Sequence, residues 1–186
     1  MCAKKCAGRP SNRDVILDAA EQLVASEGAA RLTFDALGQA TSISKGGLLY
    51  HFASKDKLLE AMLERMVARN SDLKDAFMKD FEDDPNQELK SILLASLNSD
   101  AECAQLSSGL LAAAANNPEL LAPMTAHVQQ TFQSLEQFSR DPMLAKVLFF
   151  AVHGARLFEQ LQLCEHCQGD RKAFADKLLA MIDQQN

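Results

Sequence analysis

Three residues that favour helix N-caps, Thr33, Ser44 and Ser54, fall so close together that only two short helices fit between them. Thr33 opens a segment carrying Phe34 and Leu37, Thr41–Ser42–Ile43 makes a turn, and Ser44 opens a second segment running through His51. Ser54 begins a far longer one, from Lys55 to about Phe81, which at 1.5 Å per residue is on the order of 40 Å long. A helix of that length seldom belongs to a tiny domain and reads as a connector between two. The acidic break Glu82–Asp83–Asp84–Pro85 ends it. Upstream, Ser11 and Asp14 form a capping pattern. Val15, Ile16, Ala19, Ala20, Leu23 and Val24 then recur at helical spacing, and Gly28 supplies the stop.

No strict apolar/polar alternation persists long enough for a strand. Helices are expected at about 86–98, 101–116, 119–138, 142–163 and 170–184, separated by Asn116–Asn117–Pro118, Asp141–Pro142 and the Cys164–Asp170 loop. Pro118 and Pro142 suit first-turn positions, where a missing N–H does no harm. The expected fold is all-α: an N-terminal three-helix unit, a long fourth helix, and a C-terminal helical domain. Its divisions are a basic arm over 1–10, a helix-turn-helix domain over 11–54 and a helical domain over 55–186.

The net charge of −6 argues against a nucleic-acid partner until its distribution is considered. Residues 1–57 carry eight Lys and Arg against six Asp and Glu, whereas 58–186 carry eleven against nineteen. Lys4, Lys5, Arg9 and Arg13 stand at the start with no acid among them. A basic arm on a near-neutral unit suits a protein that offers one end to phosphates, and a solvated tail is the alternative. No apolar run approaches the roughly 18 to 20 residues of a membrane span, and no apolar stretch follows the N-terminal lysines, so the expected location is the cytoplasm with no membrane partner. Five cysteines, an odd number, do not make a disulfide framework.

The two short helices carry the chemistry. Ile43, Leu48 and Phe52 can face a small core, which leaves Ser44, Lys45, Gly47, Tyr50 and His51 pointing away from it. One anchored face and one furnished with small, basic and aromatic groups is what a helix reading a DNA groove requires. Two glycines early in a helix cost roughly 1 kcal/mol each relative to alanine. Close approach to DNA explains them, and crowding between helices is the alternative.

The stretch from Leu32 through Thr33-Phe-Asp-Ala-Leu, Ser44-Lys-Gly-Gly-Leu-Leu-Tyr-His-Phe and Ser54-Lys-Asp-Lys-Leu58 resembles the DNA-binding signature of the tetracycline-repressor (TetR) family. The resemblance begins at Ile16-Leu-Asp-Ala-Ala-Glu-Gln-Leu23 and covers roughly residues 10 to 65. It implies that Thr33 bonds a phosphate while capping its helix. It also implies that Ser44, Lys45, Gly46 and Gly47 enter the major groove, with Lys45 and Gly47 nearest the base edges. Tyr50, His51 and Lys55 would contact phosphates. There are departures. Leu49 replaces the first of two adjacent aromatics, and Ser42 stands where the turn usually has glycine, at small expected cost. Asp35 occupies a position where some members read bases with a basic residue, so no guanine contact is expected from that helix.

Outside this region, Cys164-Glu-His-Cys167 is a lone CxxC without a second pair, although Cys2 and Cys6 could join it. No metal site or cofactor is assigned, and a thiol-redox or metal sensor acting through Cys164 and Cys167 is the alternative function. Met62, Met66, Phe77, Leu110, Met124, His127, Phe149 and His153 are candidates to line a small-molecule cavity, with ordinary core as the alternative for each. No Ser/His/Asp order or Gly-rich phosphate loop suggests an enzyme. Helix 142–163 is apolar nearly all round, and with the last helix, through Phe174, Leu178, Leu179 and Ile182, it can form a four-helix interface between two chains. The expected function is a homodimeric, small-molecule-responsive regulator that binds double-stranded DNA, most simply a repressor.

Overall fold

The computed structural model describes residues 11–98, 101–115, 117–161, 163 and 171–184, the side chains of 101–105 excepted. The basic arm with Cys2 and Cys6, and the Cys164–Cys167 motif, lie outside the described residues. Every regular element among the described residues is helical. The order is α1 (Asn12–Glu27), α2 (Phe34–Thr41), α3 (Lys45–His51), α4 (Lys55–Met78), α5 (Gln87–Leu97), α6 (Ala101–Ala114), α7 (Ala122–Phe138), α8 (Pro142–Gln160) and α9 (Arg171–Asp183). Single 3-10 turns at Lys79–Phe81 and Pro118–Leu121 extend α4 and lead into α7.

Each N-terminal helix starts where a hydroxyl satisfies an otherwise unpaired N–H. Ser11 accepts from Asp14 N at 3.2 Å, Thr33 from Ala36 N at 3.1 Å, Ser44 from Gly47 N at 3.2 Å and Ser54 from Lys57 N at 3.2 Å. In the α2–α3 turn Ser42 adopts φ 58°, the left-handed region that favours glycine. A residue with a Cβ is disfavoured there by roughly 1–2 kcal/mol, more than the small cost expected from sequence. Thr41 helps to hold the turn, since its Oγ1 donates to Leu37 O at 2.7 Å and accepts from Ile43 N at 3.3 Å.

Two apolar cores result. The first joins Ile16, Leu17 and Ala20 of α1 to Leu37, Leu48 and Phe52, and continues into Leu58, Leu59, Met62 and Leu63 of α4 and Leu106 and Leu110 of α6. The N-terminal three-helix unit, called the reading unit for the role expected of it, is therefore joined to the body through α4 and α6. The second gathers Leu89, Ile92 and Leu93 of α5 with Leu135, Leu148, Phe149, Val152, Leu178 and Ile182. Buried Lys90 ties this second core shut, donating to Asp84 and to Asp183 at 2.5 Å each. Burial opposes its charge, but the bonds to Asp183 and Asp84 hold its ammonium pKa above the usual lysine value. On the other flank, Arg65 and Arg69 of α4 reach Asp18 and Glu21 of α1 at 2.5 and 2.8 Å.

Candidate nucleic-acid interface and cavity

Leu48 is fully buried and Ile43 packs against the first core, so α3 has its inner face pinned. Ser44, Lys45, Gly46 and Tyr50 lie on the exposed side, with Tyr50 86% exposed and touching His51 edge-to-face. Thr33 is exposed at the start of α2, leaving its hydroxyl hydrogen able to donate while the oxygen caps. Arg13, in the first turn of α1, stacks over the Phe52 ring at 5.3 Å. It thereby places a cation beside the end of α3.

The two glycines of α3 divide between the two readings open to them, and Lys55 and Lys45 have partners the sequence did not disclose. A Cβ built on Gly47 would lie 2.9 Å from Ile43 Cγ2, a branched methyl with little freedom to move. Crowding inside the unit therefore requires that glycine. Gly46 is the opposite case: nothing lies within 4 Å of its Cβ position, so the space it leaves faces outward. Lys55 Nζ donates to Ala29 O at 2.6 Å, tethering the α1–α2 loop with one of its three N–H donors. Lys45 is not a free cation either, since its ammonium meets Asp35 Oδ1 at 3.0 Å.

A cavity of about 1330 Å³ opens between the two cores, larger than the roughly 300–1,000 Å³ of a small-molecule site. Five of the eight expected residues line it: Met66, Met124, His127, Phe149 and His153. Met62 and Leu110 do not, because both are consumed in the first core. Phe77 is half-buried near the end of α4, away from the lining. Apart from the two histidines, the sequence pointed to none of the polar groups found there, among them Glu21, Arg69, Lys74, Glu88 and Arg156. Lys74 and Ser134 both donate to Glu88 Oε1, at 3.1 and 2.5 Å, and Arg156 donates to Ser96 O.

His153 stacks on Phe149 with centroids 4.0 Å apart, and its Nδ1 donates to Phe149 O at 2.9 Å. Burial pushes its pKa down, the bond to Phe149 opposes this, and the charges of Arg156 and His127 add to it. His127 is lowered by burial and by Lys74. Both imidazoles are thus held towards the neutral form, His153 with Nε2 as its lone-pair nitrogen. Among the described residues no group of three or more His, Cys, Asp and Glu is placed to hold a metal.

On the outside of α8, Met143, Val147, Phe150, Phe158 and Leu161 form an exposed stripe at helical spacing. Gly154 sits within it with nothing near its Cβ position. The opposite face, Ala145, Leu148, Phe149 and Val152, is buried. In α9, Leu178 and Ile182 are spent inside the chain's own core, which leaves Met181 and half-buried Leu179 towards the outside.

Comparison with known proteins agrees with this arrangement. Residues 16–62 match the family described as bacterial regulatory proteins, tetR family, and residues 86–183 match the tetracyclin repressor-like C-terminal domain. The chain belongs to the TetR family. It is 35% identical over 170 residues to the nucleoid occlusion factor SlmA of Aliivibrio fischeri, covering 82% of this chain and 79% of that protein. Among solved structures, a TetR-family member from Streptomyces coelicolor A3 superposes with a TM-score of 0.73 at 25% identity, over 93% of this chain and 99% of the other. The multidrug binding protein EbrR, complexed with malachite green, superposes with a TM-score of 0.71 at 24% identity, over the same shares. As a TetR-family member the chain is a DNA-binding transcriptional regulator, with α2 and α3 as its helix-turn-helix. Among the described residues no helix is long and apolar enough to cross a membrane.

Proposed function

We propose that this TetR-family chain is a homodimeric repressor, acting in the cytoplasm and released from a palindromic operator by a small molecule held in the cavity. The observation that carries the reading is that one cavity wall is α1 itself, through Asp18, Glu21, Gln22 and Ala25. A ligand there touches the helix on which the reading unit is built, together with Arg69 of α4, which holds Glu21 of that helix. By linkage, the ligand weakens DNA binding only as far as it prefers the displaced arrangement. Two α8 stripes packed against each other would set the recognition helices of a dimer about one DNA turn apart, roughly 34 to 36 Å. In each half, Ser44, Lys45 and Gly46 enter the major groove, and Thr33, Tyr50, His51 and Lys55 hold the flanking phosphates. EbrR, of the same fold, is a multidrug binding protein, which favours a small-molecule occupant for the cavity.

Capture of chromosomal fragments bound in cells tests this. A limited set of fragments is expected, each carrying an inverted repeat and each released from purified protein by some small molecule. Fragments without any common sequence would overturn the reading. The 35% relationship to a nucleoid occlusion factor supports a second reading, a role in nucleoid occlusion. A factor acting on the whole nucleoid needs many dispersed sites, so the number and distribution of captured fragments separate the two.

A further inference from the structure

Asp35 belongs to α2 and Lys45 to α3, yet their charged ends meet at 3.0 Å with both side chains open to solvent, 76% and 63% exposed. An exposed ion pair of this kind adds little to stability. Its position is more telling. It lies at the N-terminal end of the recognition helix, beside the outward space left by Gly46, where the proposed DNA reading brings base edges closest. There it presents a donor and an acceptor one hydrogen-bond length apart.

We infer that Asp35 and Lys45 read a single base pair as one unit, and that Asp35 is a specificity-determining residue. The unit selects a keto base, guanine or thymine, on the strand facing Lys45. This rests on the DNA-reading assignment above and adds to it. In the major groove every Watson–Crick pair shows a keto oxygen and an exocyclic amino group that are hydrogen-bonded to each other. They therefore stand one hydrogen-bond length apart, the same separation as Lys45 Nζ and Asp35 Oδ1. In a G·C pair they are guanine O6 and cytosine N4; in a T·A pair they are thymine O4 and adenine N6. The ammonium donates to the keto oxygen while the carboxylate accepts from the amino group. Turning the base pair over sets carboxylate against keto oxygen and ammonium against amino group, two repulsions in place of two bonds. Guanine is preferred over thymine within the allowed class, because Lys45 can also donate to N7. Asp35 has a second effect, since a carboxylate near phosphates lowers affinity for every sequence that does not satisfy it.

Selection of bound duplexes from a random pool, using the full-length protein, tests the inference with wild type, Asp35→Ala and Lys45→Ala. Both side chains are exposed, so unchanged melting temperatures are expected. The wild-type half-site should contain one position where cytosine and adenine are excluded by roughly tenfold or more on one strand, the range of a good base contact. Asp35→Ala should readmit them at that position alone and bind random duplex several-fold more tightly. Lys45→Ala should lose the preference and weaken binding. An unchanged Asp35→Ala consensus, or a wild-type half-site with no keto-restricted position, overturns the inference while the DNA-reading assignment stands. A wild-type pool with no enriched sequence overturns both.

Discussion

Gly109 of α6 meets Val24 of α1 so closely that a Cβ at position 109 would stand 2.6 Å from Val24 Cγ1. This contact is where a cavity helix bears directly on the helix that carries the reading unit. Gly109→Ala should cost about 1–3 kcal/mol through overpacking, a fall of several degrees in melting temperature for a chain of this size. Val24→Ala in the same chain should return part of that loss, because it removes the opposing methyl. A double-mutant cycle measures this, and strictly additive effects would show that the two residues do not press on each other.

The two glycines of α3 should separate cleanly. Gly47→Ala is expected to lower stability by about 1 kcal/mol or more, since the new methyl meets Ile43 Cγ2. Gly46→Ala meets nothing within the chain and gains helix propensity, so its stability should hold or rise. Its DNA affinity should nevertheless fall. Thermal melts and binding titrations on both variants decide it, and full affinity in Gly46→Ala would mean that the backbone there does not approach DNA.

Tyr50 and Lys55 are both assigned to phosphates but differ in what else they do. Tyr50→Phe should leave the fold intact and weaken specific and random DNA alike. Lys55→Ala should also destabilise the chain by about 0.5–1.5 kcal/mol, having lost its bond to Ala29 O. If Lys55 additionally holds a phosphate, the salt slope of log K falls by about 1. An unaltered slope with lowered stability would leave Lys55 as a tether alone.

Phe150 and Phe158 are 61% and 52% exposed, so a charge at either should leave the fold standing, with a small loss at Phe150 from its edge-to-face contacts with Phe132 and Phe149. Phe150→Glu or Phe158→Glu should produce helical monomers that lose tight operator binding, because an unpaired charge buried between two α8 stripes costs several kcal/mol. Sedimentation showing an intact dimer for both variants would place the interface elsewhere.

Much of the fold was legible because its signals are local. The hydroxyls of Ser11, Thr33, Ser44 and Ser54 cap the helices their spacing predicts, and Pro142 and Gly28 mark boundaries through backbone chemistry alone. What stayed hidden depends on how side chains pack, mostly against partners distant in the chain. Periodicity shows that Met62, Leu110 and Met66 lie on apolar faces, but core and cavity walls are equally apolar, and only packing reveals that Met66 alone of the three reaches the cavity. Lys90 looks like a surface charge until the chain brings Asp84 and Asp183 around it. Gly47 and Gly46 are adjacent and identical in sequence, yet a single methyl of Ile43 gives them opposite reasons to be glycine. Lys55 likewise carries no mark of Ala29, whose carbonyl arrives from a loop upstream.

Hydroxyl-radical footprinting of the protein on a captured chromosomal fragment addresses the central claim most directly. Two protected patches on one face of the duplex are expected, separated by about one helical turn or roughly 34 to 36 Å, both vanishing with Phe158→Glu. A single patch, or protection that survives loss of the dimer unchanged, would contradict a two-fold reader of DNA built on α3.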